Sequence, residues 1–109
     1  MEADIVLLYT TFPSYEIAQK LCRHLLEKRF IACSNIYSRM ESSYWWENAI
    51  ETKQEVAAIL KTTRDCVPSI RDTFKTLHPY TCYCLLEVPV SGGNPEYVEW
   101  VKAQTHSGA

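Results

Sequence analysis

The chain carries no excess of either charge: 11 basic and 13 acidic residues give a net charge of −2, spread over 109 residues. It therefore has neither the basic stripe that a phosphate backbone requires nor an acidic tail, and nucleic acid is not an expected partner. No apolar run approaches the roughly 20 residues of a membrane-spanning helix, so no membrane partner is expected. Met1-Glu2-Ala3-Asp4 lacks the basic and apolar segments of a secretory leader, and a cytoplasmic location is the expectation. Paired cysteines are missing as well. Cys22, Cys33, Cys66, Cys82 and Cys84 are odd in number and lack the spacing of a disulfide framework or zinc knuckle. Free thiols in a reducing compartment fit this pattern, most of them acting as small buried apolar side chains. No internal repeat or low-complexity segment interrupts the chain.

What is present is apolar patterning. With 47% hydrophobic residues, the chain can bury one core, and residues 1–109 read as a single domain. Ile5-Val6-Leu7-Leu8-Tyr9 is a strand, and Thr10-Thr11-Phe12-Pro13-Ser14 turns it into a helix capped by Ser14 or Thr11. Ile17, Ala18, Leu21, Cys22, Leu25 and Leu26 keep helical spacing, while Glu16, Lys20, Arg23, Glu27 and Lys28 take the other side. His24 falls among the polar positions as a solvated residue.

Residues 31–62 read as one long hairpin, interrupted near Arg39-Met40-Glu41-Ser42. It turns at Asn48, a residue type that tolerates positive φ. An isolated ribbon cannot bury Tyr44, Trp45 and Trp46, so the hairpin must lie on a core or on another chain, and self-association follows. Asp65 is placed to cap a second helix, Cys66 to Leu77, which ends at His78-Pro79-Tyr80. Cys82 to Val90 reads as a fourth strand, and Glu96 to Gln104 as a terminal helix behind the Ser91–Pro95 loop. The order β-α-β-β-α-β plus a helix is the α+β, ferredoxin-like split βαβ pattern: two helices on one face of a four-stranded antiparallel sheet.

That fold hosts many functions, so the sites must decide. No segment matches the RNP core of an RNA-recognition sheet. Thr10-Thr11-Phe12-Pro13, where a small copper chaperone carries Cys-x-x-Cys, holds no thiol. The densest chemistry is His78-Pro79-Tyr80-Thr81-Cys82-Tyr83-Cys84. In a strand, Cys82 and Cys84 would share a face about 7 Å apart, too far for a disulfide but near enough to share a soft ion after small movements. Imidazole and thiolate suit copper or zinc better than magnesium or calcium. The alternative is that both thiols pack beneath the helices while His78 caps a helix end.

Five segments in register resemble one family: Ile31-Ala32-Cys33-Ser34-Asn35-Ile36, Ser43-Tyr44-Trp45-Trp46-Glu47, Ile59-Leu60-Lys61-Thr62, His78-Pro79-Tyr80 and Gly93-Asn94-Pro95-Glu96-Tyr97-Val98-Glu99-Trp100. The chain resembles the CutA divalent-cation tolerance family over nearly its whole length. The resemblance implies a non-enzymatic homotrimer with hairpins pairing between neighbours, and an interface at Tyr44, Trp45 and Trp46. It also implies a link to copper or another divalent cation, none of them a required cofactor, and animal members are associated with anchoring of acetylcholinesterase. Residues departing from the family pattern are Thr81, Tyr83 and Cys84, where Glu or Gln and then Pro-Glu are usual, and Asn48, where glycine is usual. The copper ligands proposed in some bacterial members fall on Tyr9, Leu77 and His78, of which only His78 keeps its identity. His78 and Cys84, with Cys82, are accordingly the candidate metal ligands. The alternatives are a small-ligand sensor whose subunit clefts are lined by Lys61, Trp46 and Tyr80, and a structural trimer supporting a protein partner.

Overall fold

A computed structural model describes residues 4–108; the leader expectation drawn from Met1–Ala3 lies outside them. The elements run β1 (Ile5–Phe12), α1 (Tyr15–Glu27), β2 (Cys33–Trp46), β3 (Ala49–Thr63), α2 (Val67–Leu77), β4 (Leu85–Pro89) and α3 (Pro95–Gln104). The sheet is antiparallel in the order β2-β3-β1-β4, the ferredoxin-like arrangement.

Alternation along the central strands sets the core. Val6, Leu8 and Phe12 of β1 and Val56, Ala58 and Leu60 of β3 point to one face, where Leu21 and Leu25 of α1 and Ile70 and Phe74 of α2 cover them. Ser14 caps α1, its hydroxyl accepting from the Ile17 N–H. α1 ends in a Schellman arrangement: Arg29 takes φ 66°, while the Phe30 and Arg29 N–H groups bond to the Leu25 and Leu26 carbonyls. α3 lies against β3 and β1, and Lys61, which alternates to the face opposite Leu60, stands 5.4 Å over its Tyr97 ring.

Three boundaries differ from the sequence reading. Asp65 does not cap α2: it lies inside a short 3-10 turn, Arg64–Cys66, which leads into the helix with Cys66 already in helical geometry. The hairpin, read from residue 31, has its first strand only from Cys33, and the Phe30 carbonyl ahead of it accepts from the Thr62 hydroxyl. β4 begins at Leu85, so neither Cys82 nor Cys84 lies in a strand. In the register that pairs Thr10 with Leu85, the next β1 carbonyl is that of Thr11, and the His78 imidazole occupies it.

Candidate functional site

The hairpin extends beyond the sheet. β1 meets β3 only from Val56 to Thr63, so Ala49–Glu55 pairs with β2 alone. The tip is a two-residue turn with Glu47 at φ 49° and Asn48 at φ 67°, closed by the Trp46–Ala49 pair. Two consecutive positive φ values make the primed turn whose twist matches that of the strands.

One irregularity builds the site. Tyr37 pairs with Ala57 but Met40 pairs with Glu55, so β2 contains one residue more than its partner, and Arg39 takes φ 62° there. Such a bulge reverses the side-chain phase of its strand. Before it, Cys33, Asn35 and Tyr37 share the face away from the helices; after it, Met40, Ser42, Tyr44 and Trp46 do, opposite Glu55, Lys53, Glu51 and Ala49. Trp45 therefore points the other way with its partner Ile50, and the two are 72% and 64% exposed.

The second wall is the loop 79–84, held by His78. That imidazole is 8% exposed and stacks on Phe12 and Phe74, with Tyr83 and Tyr80 on its other sides. Its Nε2 lies 2.9 Å from the Thr11 carbonyl, and its Nδ1 accepts the Tyr80 backbone N–H at 3.1 Å. A donor at Nε2 and an acceptor at Nδ1 describe one neutral tautomer with both nitrogens engaged. Burial, ahead of the opposing effects of Thr11 and Glu55, lowers the His78 pKa and keeps the ring neutral.

Between hairpin and loop lies a cleft of about 980 Å³, lined by Tyr9, Met40, Tyr44, Trp46, Lys53, Glu55, Tyr80, Cys82 and Cys84 among others. Glu55 is 7% exposed, and its Oε2 accepts from the Tyr80 hydroxyl at 2.8 Å. No ion pair between described residues involves Glu55. Burial first, then Glu55, push the Cys84 thiol up, so it stays protonated at neutral pH. The Cys84 Sγ meets the Tyr9 carbonyl at 3.9 Å, and the Tyr9 hydroxyl donates to the Met40 Sδ at 3.5 Å. Lys53 Nζ stands 4.5 Å over the Tyr80 ring and 5.8 Å over that of Tyr44. Tyr80 pushes this ammonium up to about 12, against a smaller effect of burial.

The structure brings Cys82, Cys84, Tyr80, Tyr44 and Trp46 to this cleft, and Trp45 borders it from the strand with its side chain on the other face. His78 is behind its wall, with no ring nitrogen left over for an ion in this arrangement. Lys61 is not at the cleft: it stands over Tyr97 near Cys33 and Tyr37, with Tyr97 first in raising its pKa. Sequence reasoning passed over Glu55, Lys53 and Met40. The signal for the first two is present, since Glu51, Lys53 and Glu55 place charge at every second position of one strand face; Met40 required the bulge to be located. Among the described residues, no three His, Cys, Asp or Glu side chains are gathered closely enough to hold a metal ion.

Fold and cleft together define the class: a ferredoxin-like α+β subunit with a protruding hairpin, at whose base carboxylate, thiol and aromatic groups converge. The comparisons narrow it. The family described as CutA1 divalent ion tolerance protein matches residues 6–104. The divalent-cation tolerance protein CutA of Thermococcus kodakarensis is 45% identical, over 93% of this chain and 94% of that protein. The crystal structure of the divalent ion tolerance protein CutA1 from Ehrlichia chaffeensis superposes with a TM-score of 0.90 at 38% identity, covering 97% of this chain and 99% of that one. The periplasmic divalent cation tolerance protein CutA from Archaeoglobus fulgidus does so with a TM-score of 0.89 at 36% identity, covering 92% and 97%. This chain belongs to the CutA1 divalent ion tolerance family.

Proposed function

We propose that the protein is a cytoplasmic, non-catalytic homotrimer that binds or buffers soft metal ions, copper foremost, in the cleft between the hairpin and loop 79–84. The observation that carries this reading is Glu55, a nearly buried carboxylate with no cationic partner among the described residues, beside the Cys84 thiol. A buried charge without a counter-charge is costly, and a cation arriving in the cleft relieves that cost. Cys84 and Cys82 supply the soft ligands and Glu55 the charge. His78 holds the loop, and joins the ligands only by giving up its bond to Tyr80. Thiolates favour Cu(I), which fits a site with few ligands from one subunit. The tolerance proteins named above support the cation, and the unpaired cysteines support a reducing compartment. The Archaeoglobus protein's periplasmic description makes cell fractionation a direct check on location.

Assembly is supported by the arm. Ala49–Glu55 leaves one strand edge without a neighbour, and Trp45, Trp46 and Ile50 are exposed beside it. Such an edge, with apolar residues around it, suits pairing with a second copy. Tyr44, Trp45 and Trp46 form the core of that interface.

Native mass spectrometry of freshly reduced protein, titrated with Cu(I), Cu(II) and Zn(II), tests both parts. The expected species is a trimer taking up copper in whole steps per subunit, with uptake lost in Cys84→Ser and Glu55→Gln, and with Trp46→Glu splitting the assembly. Unchanged uptake in both cleft variants overturns the metal site, and a trimeric Trp46→Glu protein with unaltered melting overturns the interface.

A further inference from the structure

Beyond α3 the chain is held down residue by residue. The Arg29 guanidinium donates to the Gln104 Oε1 at 2.9 Å and to the Gln104 carbonyl at 3.4 Å, and the His106 N–H donates to the Arg29 carbonyl at 2.8 Å. On the α2 side, the Cys66 thiol donates to the His106 carbonyl at 3.3 Å and the Ser69 hydroxyl to the Ser107 carbonyl at 2.7 Å. Gly108 follows at φ 81°, where a Cβ would stand 3.0 Å from the Phe30 ring. Residues 104–108 are thus a strap between the end of α1 and the start of α2, drawn from a helix, α3, that packs on β3 and β1.

One anchor of the strap differs chemically from the rest. Cys66 is 1% exposed, whereas His106, which accepts its hydrogen, is exposed, so the strap is the layer between this thiol and solvent. The Thr63 hydroxyl donates to the Cys66 Sγ at 3.4 Å, which leaves the thiol hydrogen to His106. Thiol chemistry proceeds through the thiolate, which has no hydrogen to give, and an adduct on the sulfur needs the space that the strap fills. A closed strap and a modified Cys66 therefore oppose each other, in both directions by the same free energy. We propose that residues 104–108 form a redox-sensitive latch, closed over the free Cys66 thiol and released when a small soluble disulfide converts Cys66 to a mixed disulfide. The Cys66 sulfur attacks one sulfur of that disulfide, the S–S bond breaks, and the other half leaves as a thiolate that takes up the proton Cys66 gave up. The latch uses no residue of the cleft or of the hairpin, and it does not rest on the metal reading.

The test exposes the reduced, assembled protein to excess oxidised glutathione and follows the adduct on each cysteine by peptide mass spectrometry. Cys82 is exposed and is the internal reference, and Cys66 is expected to react more slowly. Ser69→Ala removes one strap bond and is expected to speed Cys66 about fivefold, and Gly108→Val, strained at positive φ and pressed on Phe30, about tenfold, with Cys82 unchanged in both. In the reverse direction, the Cys66 adduct is expected to speed hydrogen exchange at the His106 amide on the order of tenfold, reversibly with dithiothreitol, while protein modified at Cys82 alone keeps the parent rate. Cys66→Ala lacks the thiol hydrogen but adds no bulk; it is expected to speed the same amide more weakly, and it carries this arm should the adduct unfold the protein. Equal Cys66 rates in the parent and both strap variants overturn the latch, as does His106 exchange that neither the adduct nor Cys66→Ala moves. Copper uptake in Cys84→Ser scores the metal reading separately.

Discussion

The two halves of β3 have the same backbone and opposite surroundings. From Ala57 to Lys61 the strand is paired on both sides, and Val56, Ala58, Leu60 and Thr62 are buried. From Ala49 to Gln54 every residue is exposed, and β2 is the strand's only paired neighbour among the described residues. The first half reads as packing: aliphatic, alternating and closed. The second presents Glu51 and Lys53 on one face and Ile50 on the other, a sequence arranged for contact with something outside the subunit core. Glu55 is at the junction, nearly buried and accepting the Tyr80 hydroxyl. One continuous strand thus carries the fold in one half and the site in the other.

The sharpest way to break that division is a pair of equivalent truncations. Leu60→Ala removes a fully buried side chain, with an expected loss of about 2–5 kcal/mol of stability. Ile50→Ala, on the arm, is expected to change the stability of a dissociated subunit by less than about 0.5 kcal/mol. Urea denaturation of both variants across protein concentration measures the contrast. An Ile50→Ala loss that appears only at concentrations where the protein assembles locates the missing cover on another copy.

The same division explains what was legible in the sequence. Period-2 and period-3.6 patterns come from burial, so the helix-covered half, with α1, α2 and the strand order, could be read from residues such as Leu8, Leu25, Leu60 and Phe74. The turn at Asn48 was also visible, through its tolerance of positive φ. The bulge was foreseen only as an interruption near residues 39–42, because Arg39 has no turn chemistry that marks it. Without its place, the faces of Trp45 and Trp46 stayed undetermined and Met40 had no address. His78 was singled out as a metal ligand or helix cap; its work as the clasp of loop 79–84 depends on the Thr11 carbonyl and Tyr80 N–H, long-range partners that no local pattern encodes.

His78 also links the two regions, which makes pH the next probe. In the fold, burial holds its pKa below the ordinary histidine value, whereas the unfolded chain takes up a proton near about 6.5. The unfolded state therefore binds more protons between the two values. Stability is complete above the unfolded value and declines as pH falls through it toward the lowered folded value, by at most about 1.4 kcal/mol per pH unit for this one group. Glu55 opposes the decline by favouring the charged ring, without reversing its direction. Denaturant titrations at pH 7.5 and 5.5 measure the slope, and His78→Phe, which keeps the stack on Phe12 and Phe74, isolates the histidine part. An equal slope in parent and variant assigns the acid sensitivity to other groups.

The smallest expected effect is at the hairpin tip, where the strand division begins. Glu47 holds φ 49° with no feature of its side chain that favours the left-handed region, unlike Asn48 beside it. A non-glycine residue costs roughly 1–2 kcal/mol there, and glycine avoids the cost while giving back roughly 0.5–1 kcal/mol in chain entropy. Glu47→Gly is therefore expected to stabilise the folded protein by about 0.5–1 kcal/mol. In a chain of this size that is a rise of a few degrees in Tm. Because the tip is exposed and remote from the core, the gain should leave copper titrations unchanged, and thermal melts of parent and variant are enough to measure it. A loss of stability instead would mean that the Glu47 side chain contacts a second copy in the assembled protein, and that the arm is covered as far as its turn.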